Sequence, residues 1–143
     1  MMLRKSPVSI LVLAGLAAFS TGLVRAQVVV IANSSVTAES ISKAELRGVF
    51  TGASTKLKDG SHVKPVLLKE GSTHADFVSS DLSMSVASLL VIGRGQVFSG
   101  QGTMPRTLDN ESDVVAYVAR TPGAVGYVSK ATPREGVHEI AVK

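Results

Sequence analysis

The 143-residue chain has no cysteine and no tryptophan, and its aromatic side chains are only four phenylalanines and two tyrosines. Without cysteine there is no disulfide, no thiol nucleophile, no thiolate metal site and no attachment point for a lipoprotein lipid. Sparse aromatics and the lack of a basic run remove the stacking surface and the charge footprint that nucleic-acid binding needs. Histidine occurs three times, at His62, His74 and His138, never as two ligands on one helical turn. Each reads as a surface or structural residue rather than a metal ligand. Serines are numerous, but none lies in a nucleophile-elbow pattern. The carboxylates Asp109, Glu111 and Asp113 cluster at an expected helix start, where they serve the helix dipole better than acid–base chemistry. No catalytic activity, metal or cofactor is expected from this inventory.

What the chain does have begins with an address. Arg4 and Lys5 precede a long apolar run over 8–24, and Val24-Arg25-Ala26 closes it with a cleavage pattern before Gln27. This is the layout of a Sec-type signal peptide over 1–26, so a periplasmic or secreted location is expected, with no stable membrane insertion after cleavage. A retained anchor is the alternative. The run is close to the shortest that can span, and Gly15, Ser20, Thr21 and Gly22 weaken it. Three of the fifteen basic residues lie in this segment and none of the eleven acidic ones, so the remainder is close to neutral. Residues 27–143 have the size of one domain with a single core held by packing alone.

Within that domain, apolar runs alternate with helical patterns. Residues 27–32, with Val28-Val29-Val30-Ile31, read as a buried strand. Ser42 and Glu45 fit a capping box for a helix with Leu46, Val49 and Phe50 on one face, ending near Gly52. Asp59-Gly60 marks a turn, and 63–68 a second strand. Helices are expected over 73–82, over 83–97 with Val86, Leu89, Leu90 and Val97 at helical spacing, and over 110–120 with Asn110 as cap and Val114, Val115 and Val118 inward. A Gly-rich loop follows over 99–105, and strands over 124–129 and 137–142 complete the chain. The fold class is therefore α/β, with a mixed sheet flanked by helices and parallel pairing in part.

The segment richest in chemistry is Val66-Leu67-Leu68-Lys69-Glu70-Gly71-Ser72-Thr73. A buried strand ends in a small-residue turn and a helix starts at once. The first N–H groups of a helix lack intrahelical partners and carry partial positive charge, which suits an anion. Ser72 and Thr73 add hydroxyls and Lys69 a full charge. The residues alone favour a plainer reading, a helix start closed by a Thr73–Asp76 capping box. The Ser99-Gly100-Gln101-Gly102-Thr103 stretch, with Arg106 after it, is a further loop that either holds an anion or simply connects helices.

Three segments in order carry a resemblance. Leu46-Arg47-Gly48-Val49-Phe50-Thr51-Gly52, the turn at Gly71-Ser72-Thr73, and Thr121-Pro122-Gly123-Ala124-Val125-Gly126-Tyr127-Val128 resemble landmarks of phosphate ABC transporter substrate-binding proteins; Phe98-Ser99-Gly100 to Pro105-Arg106 adds a fourth, as in short single-lobe relatives. The resemblance implies one lobe of a type II periplasmic binding protein-like (PBP-like) fold over 27–143. It implies an exported module that binds phosphate or a related oxyanion for ABC-type uptake, or else a one-lobe relative without ligand that acts as an envelope interaction module. The implied phosphate donors are Lys69, Gly71, Ser72 and Thr73. The implied partners are a small anion and an ABC permease or a second copy that completes the cleft. Three departures stand out: Lys69 replaces an arginine fork, Glu70 puts negative charge beside the turn, and Leu57 stands near the place of an expected tryptophan.

Overall fold

The computed structural model describes residues 27–143, so the signal-peptide expectation for 1–26 lies outside it. Six strands and four α-helices follow one another as β1 (Val28–Ala32), β2 (Ser40–Ile41), α1 (Lys43–Phe50), β3 (Lys64–Leu68), α2 (Ser72–Asp76), α3 (Val86–Phe98), β4 (Arg106–Leu108), α4 (Glu111–Arg120), β5 (Ala124–Ser129) and β6 (His138–Val142). The strands form one mixed sheet in the order β2-β6-β1-β5-β3-β4. β1 runs antiparallel to both β5 and β6, whereas β3 is parallel to β4 and β5, and β2 is parallel to β6.

The continuously apolar segments fall in the middle of the sheet. Every residue of β5 from Ala124 to Val128 is buried, as are Val30, Ile31 and Ala32 of β1 and Val66, Leu67 and Leu68 of β3. Strands covered on both faces read as unbroken hydrophobic runs rather than alternating ones, and these do. Pro65 is tolerated inside β3 by position. The Lys64 N–H points to β5, so by alternation the missing Pro65 N–H faces the β4 side, where pairing starts only at Val66.

Side-chain chemistry sets the helix starts. At α1 the Glu45 N–H donates to Ser42 Oγ at 3.1 Å and the Ser42 N–H to Glu45 Oε1 at 3.4 Å, the expected capping box. At α4 the Asp113 N–H donates to Asn110 Oδ1 at 2.9 Å, and Val114, Val115 and Val118 are buried. α4 covers one face of the sheet. On the other face lie α1 and the helical segment that starts at Ser72.

Three expectations are revised. The helix over 73–82 is α-helical only through Asp76 and continues as one π-helical turn, Phe77–Asp81. The Leu82 N–H reaches back to the Phe77 carbonyl, and the wider turn lets Phe77, Val78 and Leu82 all enter the core. The next helix begins at Val86, after Ser83 at φ 53°, and Ser85 caps it through the Ser88 N–H. Of the apolar residues at helical spacing it buries only Leu89, with Gly93 beside it, and Val86, Leu90 and Val97 are exposed. The helix packs beside the π turn, and an open groove separates its Val86 and Leu90 from Leu67 and Leu68 of β3 and Thr107 of β4. Finally, β4 emerges from a segment with no strand pattern of its own; three residues are held there by pairing with β3.

The contact between α4 and β5 rests on the absence of a side chain. A Cβ at Gly126 would lie 2.8 Å from Val114 Cγ1 and 3.3 Å from Val118 Cγ2. Both atoms belong to stiff β-branched side chains on a packed helix, so neither can move away cheaply. Gly126→Ala should lower stability by about 1–3 kcal/mol, read as a lower urea midpoint at an unchanged slope. An unchanged midpoint would show that α4 sits farther from β5.

Candidate functional site

The site follows from where the β3–β5 ladder stops. The two parallel strands are in register at Lys64↔Ala124 and Pro65↔Val125, and the pairing goes no further. Towards their carboxyl ends they part, and backbone N–H groups on the inner edges need other partners. In open α/β sheets this is also the end at which ligands bind.

Tyr127 fills the gap. It is fully buried on the face opposite α4, stacked on Phe77 at 3.8 Å between ring centroids, with Phe50 edge-on to both rings. Its hydroxyl accepts the Leu68 N–H at 2.9 Å and makes a very short hydrogen bond to His74 Nδ1. With the Leu68 N–H already donating to the phenol oxygen, the phenol O–H is left to donate to Nδ1. His74 is then a neutral imidazole that carries its own proton on Nε2. Burial lowers the His74 pKa and raises that of Tyr127 well above its ordinary value, which keeps both neutral. His74 is therefore a structural histidine, as its sequence context suggested.

The expected donors stand at the mouth of this gap. The Lys69 N–H bonds the Leu108 carbonyl at 2.9 Å, which fixes the start of the turn against β4 and leaves the Lys69 side chain exposed. Gly71 has φ 110°, a backbone conformation that favours glycine, and an added Cβ there would meet only open space. α1, α3 and α4 each have a side-chain cap on their first N–H groups, from Ser42, Ser85 and Asn110. The N-terminus of α2 has none: Gly71 is its cap residue, and the Thr73–Asp76 capping box does not form. Ser72 is exposed, but Thr73 is buried and turns its hydroxyl away, to Glu111 Oε2 at 3.4 Å. Lys69, Gly71 and Ser72 thus share one open turn, and Thr73 lies behind it.

Glu111, at the first position of α4, was assigned from sequence only to the helix dipole. Its carboxylate also accepts the Ser129 N–H and, at 3.2 Å, the Thr132 hydroxyl. Nothing in the spacing of these residues marks them as neighbours, because they come from α2, α4 and the turn after β5. The Gly-rich loop does not join this cluster. Gly102 packs so closely on Gly52 that a Cβ would lie 2.8 Å from the Gly52 carbonyl oxygen. Arg106 lies over the Tyr117 ring, 5.0 Å from its centroid, instead of turning to the loop. Beside the turn is a mostly apolar groove of about 200 Å³, with Phe50, Leu68, Leu89 and Met104 in its walls and Lys69 and His74 at its edge with the turn. Among the described residues no cluster could hold a metal, and no single helix is long and apolar enough to cross a membrane.

Comparison with solved structures gives the fold a setting. An ABC-type phosphate transport receptor from Vibrio cholerae aligns with a TM-score of 0.62 at 15% identity, over 80% of this chain and 45% of that one. PstS from Borrelia burgdorferi aligns with a TM-score of 0.58 at 11% identity, over 81% and 47%. The chain therefore spans somewhat under half the length of the structures it matches, and it has the fold of one lobe of a type II periplasmic binding protein. No protein-family profile matches it, and no curated protein matches it significantly in sequence.

The His74–Tyr127 pair makes stability depend on pH in a defined direction. Unfolded, His74 takes up a proton near pH ~6.5; folded, it does so only at lower pH. The unfolded chain then binds more protons below that value, so stability falls as pH drops through about 6.5 and on to the folded pKa. His74→Asn keeps an acceptor for the phenol proton and cannot titrate. Urea unfolding between pH 7 and 5 should show a flatter slope for this variant than for the unchanged protein; equal slopes would contradict a neutral, buried His74.

Proposed function

We propose that the chain is an exported solute-binding module whose ligand is phosphate or a related oxyanion, serving ABC-type uptake. The observation that carries this reading is the open N-terminus of α2. It begins at the carboxyl end of β3, has no side-chain cap, and is flanked by the exposed Lys69 and Ser72. Unpaired N–H groups at such a start, with the positive end of the dipole, favour an anion. Ser72 Oγ would donate one hydrogen bond, and Lys69 would supply charge as a point cation rather than a fork. Among the solved structures whose fold it shares is an ABC-type phosphate transport receptor, which supports phosphate among the oxyanions.

The geometry also sets the strength. One turn open to water replaces few of the hydration contacts of a phosphate dianion, so its affinity is weak unless further donors close over it. An ABC permease or a second copy of the chain would be the source of those donors. A second reading, an envelope interaction module without ligand, draws on α3, which exposes Val86, Leu90, Val91 and Phe98 along one side. Soluble proteins seldom leave such apolar groups together without a use.

Calorimetric titration with inorganic phosphate separates the two readings. Binding should be detectable at millimolar phosphate. It should weaken by about tenfold in Lys69→Ala and in Ser72→Ala, the loss of one charge-assisted contact each. A folded protein that gives no heat at these concentrations would favour the interaction module.

A further inference from the structure

Glu111 takes no part in capping its own helix. Asn110 does that through the Asp113 N–H, and the Glu111 carboxylate reaches across the gap instead. Its Oε1 accepts from the Ser129 N–H and the Thr132 hydroxyl, and its Oε2 from the Thr73 hydroxyl. Three donors from two separate segments, α2 and the turn at the end of β5, with no basic side chain among them, converge on one anionic group. Ser129 is the last residue of β5. The Lys130 N–H goes to Gln27 beside β1, so the Ser129 N–H points the other way, into the β3–β5 gap. A carboxylate and a phosphate share the features such donors recognise, namely negative charge and several acceptor oxygens on one centre.

We infer that Thr73, Ser129 and Thr132 form an oxyanion site already occupied by the chain's own Glu111 carboxylate, which competes with a free tetrahedral oxyanion. The inference rests on the phosphate reading given above and adds its regulation. A phosphate at the α2 turn gains Thr73, the Ser129 N–H and Thr132 only when Glu111 leaves. With Glu111 in place, the ligand has the outer donors Lys69, Gly71 and Ser72 alone and meets the repulsion of a fixed negative charge behind them. The distribution of burial agrees: Thr73 is buried, whereas Lys69, Gly71 and Ser72 are exposed. Displacement of Glu111 by a partner that offers its carboxylate a cation would switch the site from weak to tight.

The test is phosphate affinity of the purified protein and its Glu111→Ala variant, with sulfate as a second probe. Removing the carboxylate should tighten phosphate binding by about tenfold or more, the value of one or two charge-assisted hydrogen bonds regained and a repulsion removed. Thr132→Val in the Glu111→Ala background should reverse most of that gain, because its hydroxyl serves only the inner site. Should Glu111→Ala fail to fold, Glu111→Gln keeps the shape, removes the charge and should still tighten binding. If the unchanged protein binds phosphate and neither variant binds tighter, the self-occupied site is overturned and the outer-turn reading stands. If only the variants bind, the inference holds and the unchanged chain is not by itself a phosphate binder. If none binds, both fail.

Discussion

The parting of β3 and β5 is the constraint on which the rest of the site depends. Two parallel strands that stop pairing after Pro65 and Val125 leave edge N–H groups inside a protein, where an unpaired donor is costly. The fold answers with side chains. The Tyr127 hydroxyl takes the Leu68 N–H, and the Glu111 carboxylate takes the Ser129 N–H. Tyr127 can reach because Phe77 and Phe50 hold its ring in place, and Phe77 arrives there by way of the π-helical turn. Three of the chain's few aromatic residues are committed to this one gap.

The same parting produces the candidate site. Had the ladder continued, the carboxyl ends of β3 and β5 would be closed, and the loop after Leu68 would run over a finished sheet. Instead α2 starts at the edge of an opening, with its first N–H groups uncapped and Lys69 beside it. The inner part of the opening is polar but filled from within, by His74 bonded to Tyr127 and by Glu111 bonded to Thr73, Ser129 and Thr132. The neutral imidazole carries no charge, so in the proposed reading the outer turn would supply the attraction for an anion and Glu111 would oppose it.

Much of the fold was legible in the sequence because it is encoded locally. The capping box of Ser42 and Glu45, the Asn110 cap and the β-branched run of β1 depend on residues a few positions apart, and they appear as read. The turn from Lys69 to Thr73 was legible for the same reason. What could not be read is set by partners distant in the chain. β4 is a strand only because β3 lies next to it, and α3 exposes an apolar side because no layer covers it. The orientation of Thr73 and the second role of Glu111 depend on α4 and the turn after β5 meeting α2, which no spacing in the chain announces.

The central claim, that the opening between β3 and β5 is an oxyanion site, is tested most directly by backbone amide chemical shifts during a phosphate titration, with sodium chloride at matched ionic strength as control. The account predicts phosphate-dependent shifts confined to Lys69, Gly71, Ser72, Thr73 and His74, with smaller ones at Glu111, Ser129 and Thr132. Shifts spread over exposed lysines and arginines elsewhere, or none at all with the folded spectrum intact, would contradict it.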